Sequence, residues 1–223
     1  MTTAPHGSWA SPFSAELVAG GKLRLDSLQA DGEDLYWLEG RPSNRGRYTL
    51  VRNGADVTPP DFNVRTHAHE YGGGAYVVHN RTAYLSNFDD GRLYRLTPGG
   101  QPQPVTPPDG AAYADMRIAP DGFLICVREL NGQNEIVAVD AGGSVMTLAS
   151  GADFYSNPRI SPDGKRLAYL SWNLPNMPWD GTDLWVANLD GSQPEHVAGG
   201  PGESVFQPEW SPDGILHYVS DRT

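Results

Sequence analysis

Cysteine is nearly missing from this chain: Cys126 is the only one among 223 residues. No internal disulfide can form, and the place of Cys126 inside an apolar run reads as that of a small core residue. No run of about 18 apolar residues exists, which excludes a membrane-spanning helix. Residues 1–22 lack the apolar core after basic residues that marks a signal peptide. The sequence has no Gly-x-Ser-x-Gly elbow, no phosphate loop, no Cys-x-x-Cys and no His-Glu-x-x-His, so the usual nucleophile, nucleotide and zinc signatures are absent. Bases are scarce as well. With 16 of them against 27 acids, the net charge is -11, which argues against nucleic acid and anionic membranes as partners. The acids are scattered and read as solubilising. These absences set the expectation of a cytoplasmic protein without cofactor or metal.

What is abundant is turn chemistry: 26 Gly and 19 Pro. One phrase occurs three times, as Ala119-Pro120-Asp121-Gly122, Ser161-Pro162-Asp163-Gly164 and Ser211-Pro212-Asp213-Gly214. Pro pre-sets the first turn position, Asp bonds back to the turn backbone, and Gly accepts the positive φ. The Asp-to-Asp intervals are 42 and 50 residues, a repeat length that points to a β-propeller. Short apolar strands follow each turn: Phe123–Val127, Leu167–Leu170 and Ile215–Val219. A third strand comes next (Glu135–Asp140, Asp183–Asp190), then a glycine hairpin and a short outer strand (Val145–Leu148, Glu195–Ala198). The longer second interval is explained by one insertion, Leu174–Gly181. It holds two prolines, ends in Asp-Gly and carries Met177 and Trp179. Binding residues concentrate in such loops.

Two less regular units precede these, around Asp34–Glu39 and Tyr48–Arg52, then Gly74–Val78, Thr82–Ser86 and Arg92–Leu96. The expected fold is therefore all-β: a propeller of four-stranded antiparallel blades, four of them plus part of a fifth, in an open ring. An N-terminal segment covers 1–22. The expected blades cover 23–65, 66–108, 109–151, 152–200 and, in part, 201–223, with Trp37, Tyr84, Ile125, Tyr169 and Tyr218 on second strands. Propellers close with about 4 to 8 complete blades, so an unfinished blade reads as part of something longer. Its edge should expose strand backbone and apolar side chains, Trp210 and Tyr218 among them, and could drive self-association.

One polar cluster stands out, Arg65-Thr66-His67-Ala68-His69-Glu70-Tyr71-Gly72-Gly73-Gly74. On a strand, His67 and His69 share a face at a spacing that can chelate a metal, but no third ligand of clear spacing follows. The three glycines permit close backbone approach or an anion-holding loop; equally, they open the inner strand of the second blade, where blades crowd the axis.

The segments Arg65–Ala75, Asp153–Gly164, Leu170–Asn173 and Asn176–Trp185 resemble the N-terminal propeller of the prolyl oligopeptidase family of serine peptidases, in its acylaminoacyl-peptidase and dipeptidyl-aminopeptidase-like branch. The resemblance runs from Trp9 to Thr223. The Pro-Asp-Gly phrase is shared with TolB-like and WD-like repeats; the Tyr-Gly cluster and the Asn-Met-Pro-Trp-Asp-Gly loop are far more specific. The resemblance implies a propeller capping an α/β-hydrolase domain that carries Ser, Asp and His, and admitting short peptides while excluding folded proteins. No catalytic residue carries over. The candidate substrate-binding residues are Arg65, His67, His69, Glu70, Tyr71, Trp179 and Asp180. The paired-glutamate motif that holds a substrate amino terminus in related dipeptidyl peptidases is absent, since Glu70 is the only acid in the cluster.

Two other readings stay open. A TolB-like interaction propeller has no enzymatic role at all. A carbohydrate-processing propeller needs a paired acid and base at the axis, and no such pair is visible.

Overall fold

The computed structural model describes residue 3, residues 5–8 and residues 10–222; Trp9 and Thr223, the ends of the segment that carries the resemblance, lie outside them. A short helix, α1 (Ala15–Ala19), is capped by the Ser14 hydroxyl, which accepts the Leu17 amide at 3.0 Å.

Five antiparallel sheets follow. The first is β1 (Arg24–Asp31), β2 (Asp34–Arg41), β3 (Arg47–Arg52) and β4 (Ala55–Asp56). The second is β5 (Tyr76–His79), β6 (Thr82–Ser86), β7 (Leu93–Leu96) and β8 (Gln103–Pro104). The third is β9 (Ala112–Ile118), β10 (Leu124–Leu130), β11 (Gln133–Val139) and β12 (Val145–Ala149). The fourth is β13 (Phe154–Ile160), β14 (Arg166–Trp172), β15 (Asp183–Asn188) and β16 (Glu195–Gly199). The fifth is the pair β17 (Val205–Trp210) and β18 (Leu216–Ser220). In every sheet the strands lie side by side in chain order, as in propeller blades. Trp37, Tyr84, Ile125, Tyr169 and Tyr218 all fall on second strands, as expected. The inner strands β1, β5, β9, β13 and β17 neighbour one another in turn, and the blades form an open arc.

Each of the three middle blades is buried on both faces by alternation. Along β10, Leu124 and Cys126 face the second blade while Ile125 and Val127 face the fourth. Along β14, Leu167 and Tyr169 face the third blade while Ala168 and Leu170 face the fifth. Period-two side chains thus build four separate inter-blade cores. Burying one such Leu is worth about 1.5–3 kcal/mol. Cys126 is wholly buried, which pushes its thiol pKa up.

The alternation also explains the two ends of the arc. In the first blade Tyr36 and Leu38 are buried against the second, but Leu25, Leu28 and Leu35 lie exposed. In the fifth, Val205, Trp210, Leu216 and Tyr218 pack on the fourth. The expectation of an exposed Trp210 and Tyr218 is therefore corrected. Both are half-buried, and the Trp210 indole donates to the Arg159 carbonyl at 3.0 Å. Phe206, Ile215 and Val219, on the opposite face, are the exposed ones.

A second repeat, not expressed in residue type, runs along the inner strands. Ser27, Asp115, Asn157 and Gln207 each adopt a left-handed φ near +50° at a register shift. Gly74, at φ +55°, holds the equivalent place just before β5. These are β-bulges, which bend a strand and sharpen its twist.

Candidate functional site

Antiparallel order separates the connections onto two faces. The Pro-Asp-Gly turns join first strands to second strands and lie on one face. The connections from second to third strands, and from one blade to the next, lie on the other. All seven candidate residues belong to that second face: Arg65, His67, His69, Glu70 and Tyr71 between β4 and β5, and Trp179 and Asp180 between β14 and β15.

Residues 68–71 form a turn, not a strand. His69 and Glu70 have φ of +57° and +62°, and Gly72, Gly73 and Gly74 all have positive φ. His67 and His69 therefore do not share a strand face. The His67 ring lies flat on Phe88, centroids 3.8 Å apart, with Nε2 2.7 Å from the Phe88 carbonyl. His69 turns the other way. Its amide donates to Glu129 of the third blade at 2.8 Å. Its ring meets Tyr71 at 5.7 Å, Phe154 at 6.0 Å and Trp172 at 5.9 Å, the last two on the fourth blade. The turn is thus a strap from the second blade across the third to the fourth. Phe154 and Trp172 stack on each other at 5.3 Å and complete an aromatic box. His69 Nε2 is buried there without a hydrogen-bond partner among the described residues. No group of three or more His, Cys, Asp or Glu is placed to hold a metal among the described residues.

Tyr71 stands out from the strap, 68% exposed, and partial desolvation raises its hydroxyl pKa. Arg65 lies over the Phe88 ring at 4.8 Å. Glu70 is exposed, and its amide donates to the His67 carbonyl at 2.8 Å. Trp179 is likewise 68% exposed. Its loop is fixed at both ends: Asp153 accepts the Leu174 amide at 2.9 Å, and Ser204 donates to the Pro178 carbonyl at 2.8 Å. Asp180 closes the loop by accepting the Met177 amide at 2.9 Å. The strap and this loop are linked through Trp172, which ends the strand from which the loop departs.

Sequence reasoning passed over the axial charges. Arg159 on β13 donates to Asp115 on β9 at 3.3 Å and to Glu209 on β17 at 2.6 Å; Arg117 pairs with Asp115 at 3.0 Å. Burial, and then the like charge of Arg159, lower the Arg117 pKa, and Asp115 opposes that shift. Four charges from three inner strands tie these blades together. Glu129, Phe154 and Trp172 were missed too, although two of them sit in segments that carried the resemblance.

No family model and no curated protein matches the chain. Solved structures do. A puromycin-hydrolyzing peptidase of Mycobacterium tuberculosis is 37% identical over 99% of this chain, with a TM-score of 0.87. A puromycin hydrolase is 35% identical over 99% of this chain, also with a TM-score of 0.87. The chain spans 39% of the length of each. TolB from Acinetobacter baumannii is 16% identical over 89% of this chain and 52% of its own, with a TM-score of 0.60, a likeness of fold alone. No helix of the described residues is long and apolar enough to cross a membrane.

Proposed function

The chain belongs to the prolyl oligopeptidase family, and on that premise we propose that it is the substrate-binding and gating propeller of a cytoplasmic serine peptidase acting on short peptides. Acylaminoacyl- or dipeptidyl-peptidase-like specificity fits the reading, and the chain is not catalytic by itself. Its working partner is an α/β-hydrolase domain carrying the nucleophile, a match to the remaining length of the relatives. The observation that carries the proposal is the strap. A left-handed turn held across three blades presents Tyr71 on the face from which the Trp179 loop also projects. Rigidly held aromatics supply contact area at low entropic cost, which suits peptides of varied sequence.

The test is titration of the chain with short peptides and with puromycin, the compound named for its relatives, followed by tryptophan fluorescence. Binding in the micromolar to millimolar range, weakened several-fold by Trp179→Ala and Tyr71→Ala, is expected. Absence of binding at millimolar peptide would refute the proposal, and tight capture of a folded protein instead would favour the interaction-propeller reading.

A further inference from the structure

A cleft of about 490 Å³ opens between the first and second blades, on the face that carries the strap. Its walls are the start of β1, the connection from β2 to β3, and the glycine end of the strap. Three cations line it: Lys22, Arg24 and Arg65. None of them forms an ion pair among the described residues, a state they share with Arg45, Arg52, Arg92, Arg95 and Lys165, while the Arg65 guanidinium also lies over the Phe88 ring at 4.8 Å. Asp26 is the one acid in the lining, and it accepts the Ser27 hydroxyl at 3.1 Å.

In a chain of net charge -11, three cations without a carboxylate partner against the single acid Asp26 give this cleft a local field opposite to that of the whole. The backbone adds to it. The Gly73 and Gly74 amides donate no hydrogen bond among the described residues. A side chain at Gly73 would meet nothing within 4 Å, so the backbone there faces open space. Free amides beside guanidinium groups are donors suited to an anionic oxygen. Tyr48 and Tyr71 supply apolar walls.

We infer that this cleft binds a carboxylate of a peptide ligand against Arg24 and Arg65. The inference rests on the peptide-binding reading above and names what that site recognises. Guanidinium groups pair with a carboxylate through two parallel hydrogen bonds, and the cleft is large enough for the terminal residue as well. A carboxylate can come from the chain terminus or from an acidic side chain, and the peptides used in the test separate the two.

The 223-residue chain would be titrated calorimetrically with N-acetyl-trialanine, with its C-terminal amide, and with N-acetyl-Ala-Asp-Ala amide. The free acid should bind about tenfold more tightly than the neutral amide, the scale of one charge-assisted contact. Arg24→Gln and Arg65→Gln should each remove most of that preference, weakening the free acid several-fold more than the neutral amide. Both side chains are exposed, so neither change disturbs a core. If the Asp peptide binds like the free acid, any carboxylate is read; if it binds like the neutral amide, the chain end is read. Equal affinity for acid and amide, or an acid preference that survives both substitutions, overturns the inference and leaves peptide binding intact. Absence of binding by all three peptides sinks the peptide reading, and this inference with it.

Discussion

The amide of Asp115 donates to the carbonyl of Gly74 at 2.9 Å, joining the bulge of the third blade to the equivalent point of the second. A Cβ on Gly74 would lie 2.6 Å from Asp115 Cα and 2.7 Å from its amide nitrogen. Contact this close, between two backbones, leaves no flexible atom to yield. Gly74→Ala should therefore destabilise the fold by about 2–4 kcal/mol, combining left-handed strain with a steric clash. Gly122→Ala is the control, since that glycine also has positive φ but open space around it; its cost should be about 1 kcal/mol. Denaturant titration of both variants checks the ranking, and equal losses would refute the clash.

Arg159 joins Asp115 and Glu209 across three blades with only 11% of its side chain exposed. Arg159→Met preserves much of the stem and removes the charge. A loss of about 1–3 kcal/mol is expected, since the bonds to Asp115 and Glu209 are lost, although Asp115 keeps Arg117 at 3.0 Å and the more exposed Glu209 rehydrates. Asp115→Asn should cost less in the Arg159→Met background than in the parent, because one of the two cation partners of Asp115 is then already gone. Strict additivity of the two changes in a double-mutant cycle would show that the groups act independently.

Acid should unfold the chain partly through its turns. Hydrogen bonds from the Ser161 and Ser211 hydroxyls lead the causes that hold Asp163 and Asp213 below the usual aspartate range. Each carboxyl ionises more readily folded than unfolded. Its stabilising effect is therefore complete above pH of about 4 and is lost as pH falls through the lower folded value. The Asp163→Asn/Asp213→Asn variant should show a flatter fall in melting temperature between about pH 4 and 2 than the parent. An unchanged acid limb would discount the turns.

Labelling by a serine-directed fluorophosphonate is expected to be absent, as is hydrolysis of acyl-peptide or aminoacyl chromogenic substrates. The reason is the missing nucleophile elbow. Stoichiometric labelling of the chain would contradict it.

Both ends of the arc show an apolar face: Leu25, Leu28 and Leu35 at one, Phe206, Ile215 and Val219 at the other. Concentration-dependent association in light scattering is expected, along with a melting temperature that rises when a polypeptide covering either face is added. A monodisperse monomer with invariant melting would show that neither face needs a cover.

The fold was readable because its punctuation is local. Asp121 accepts the Phe123 amide at 3.2 Å and Asp163 the Lys165 amide at 3.1 Å, so Pro, Asp and Gly encode each turn within four residues. The alternating strands after those turns then place Ile125 and Tyr169 without further information. The strap was misread because His67 and His69 have the spacing of a strand. The glycines that follow were the contrary signal, yet the conformation is set by distant partners, Glu129, Phe154 and Trp172. The axial charges lie on three different blades, and only the curvature of the arc brings them together. The bulges were invisible for another reason: Ser27, Gly74, Asp115, Asn157 and Gln207 share a backbone shape and no side-chain chemistry.

That last feature bears on how such a protein can vary. The bend recurs with five different residues, so the curvature of the arc's inner edge is set by the main chain rather than by any side chain. Mutation at these positions can change the chemistry of that edge, acid for amide or hydroxyl, without changing the bend. Edge chemistry and curvature are in this way separately adjustable, and at Gly74, wedged against Asp115, the two are locked together.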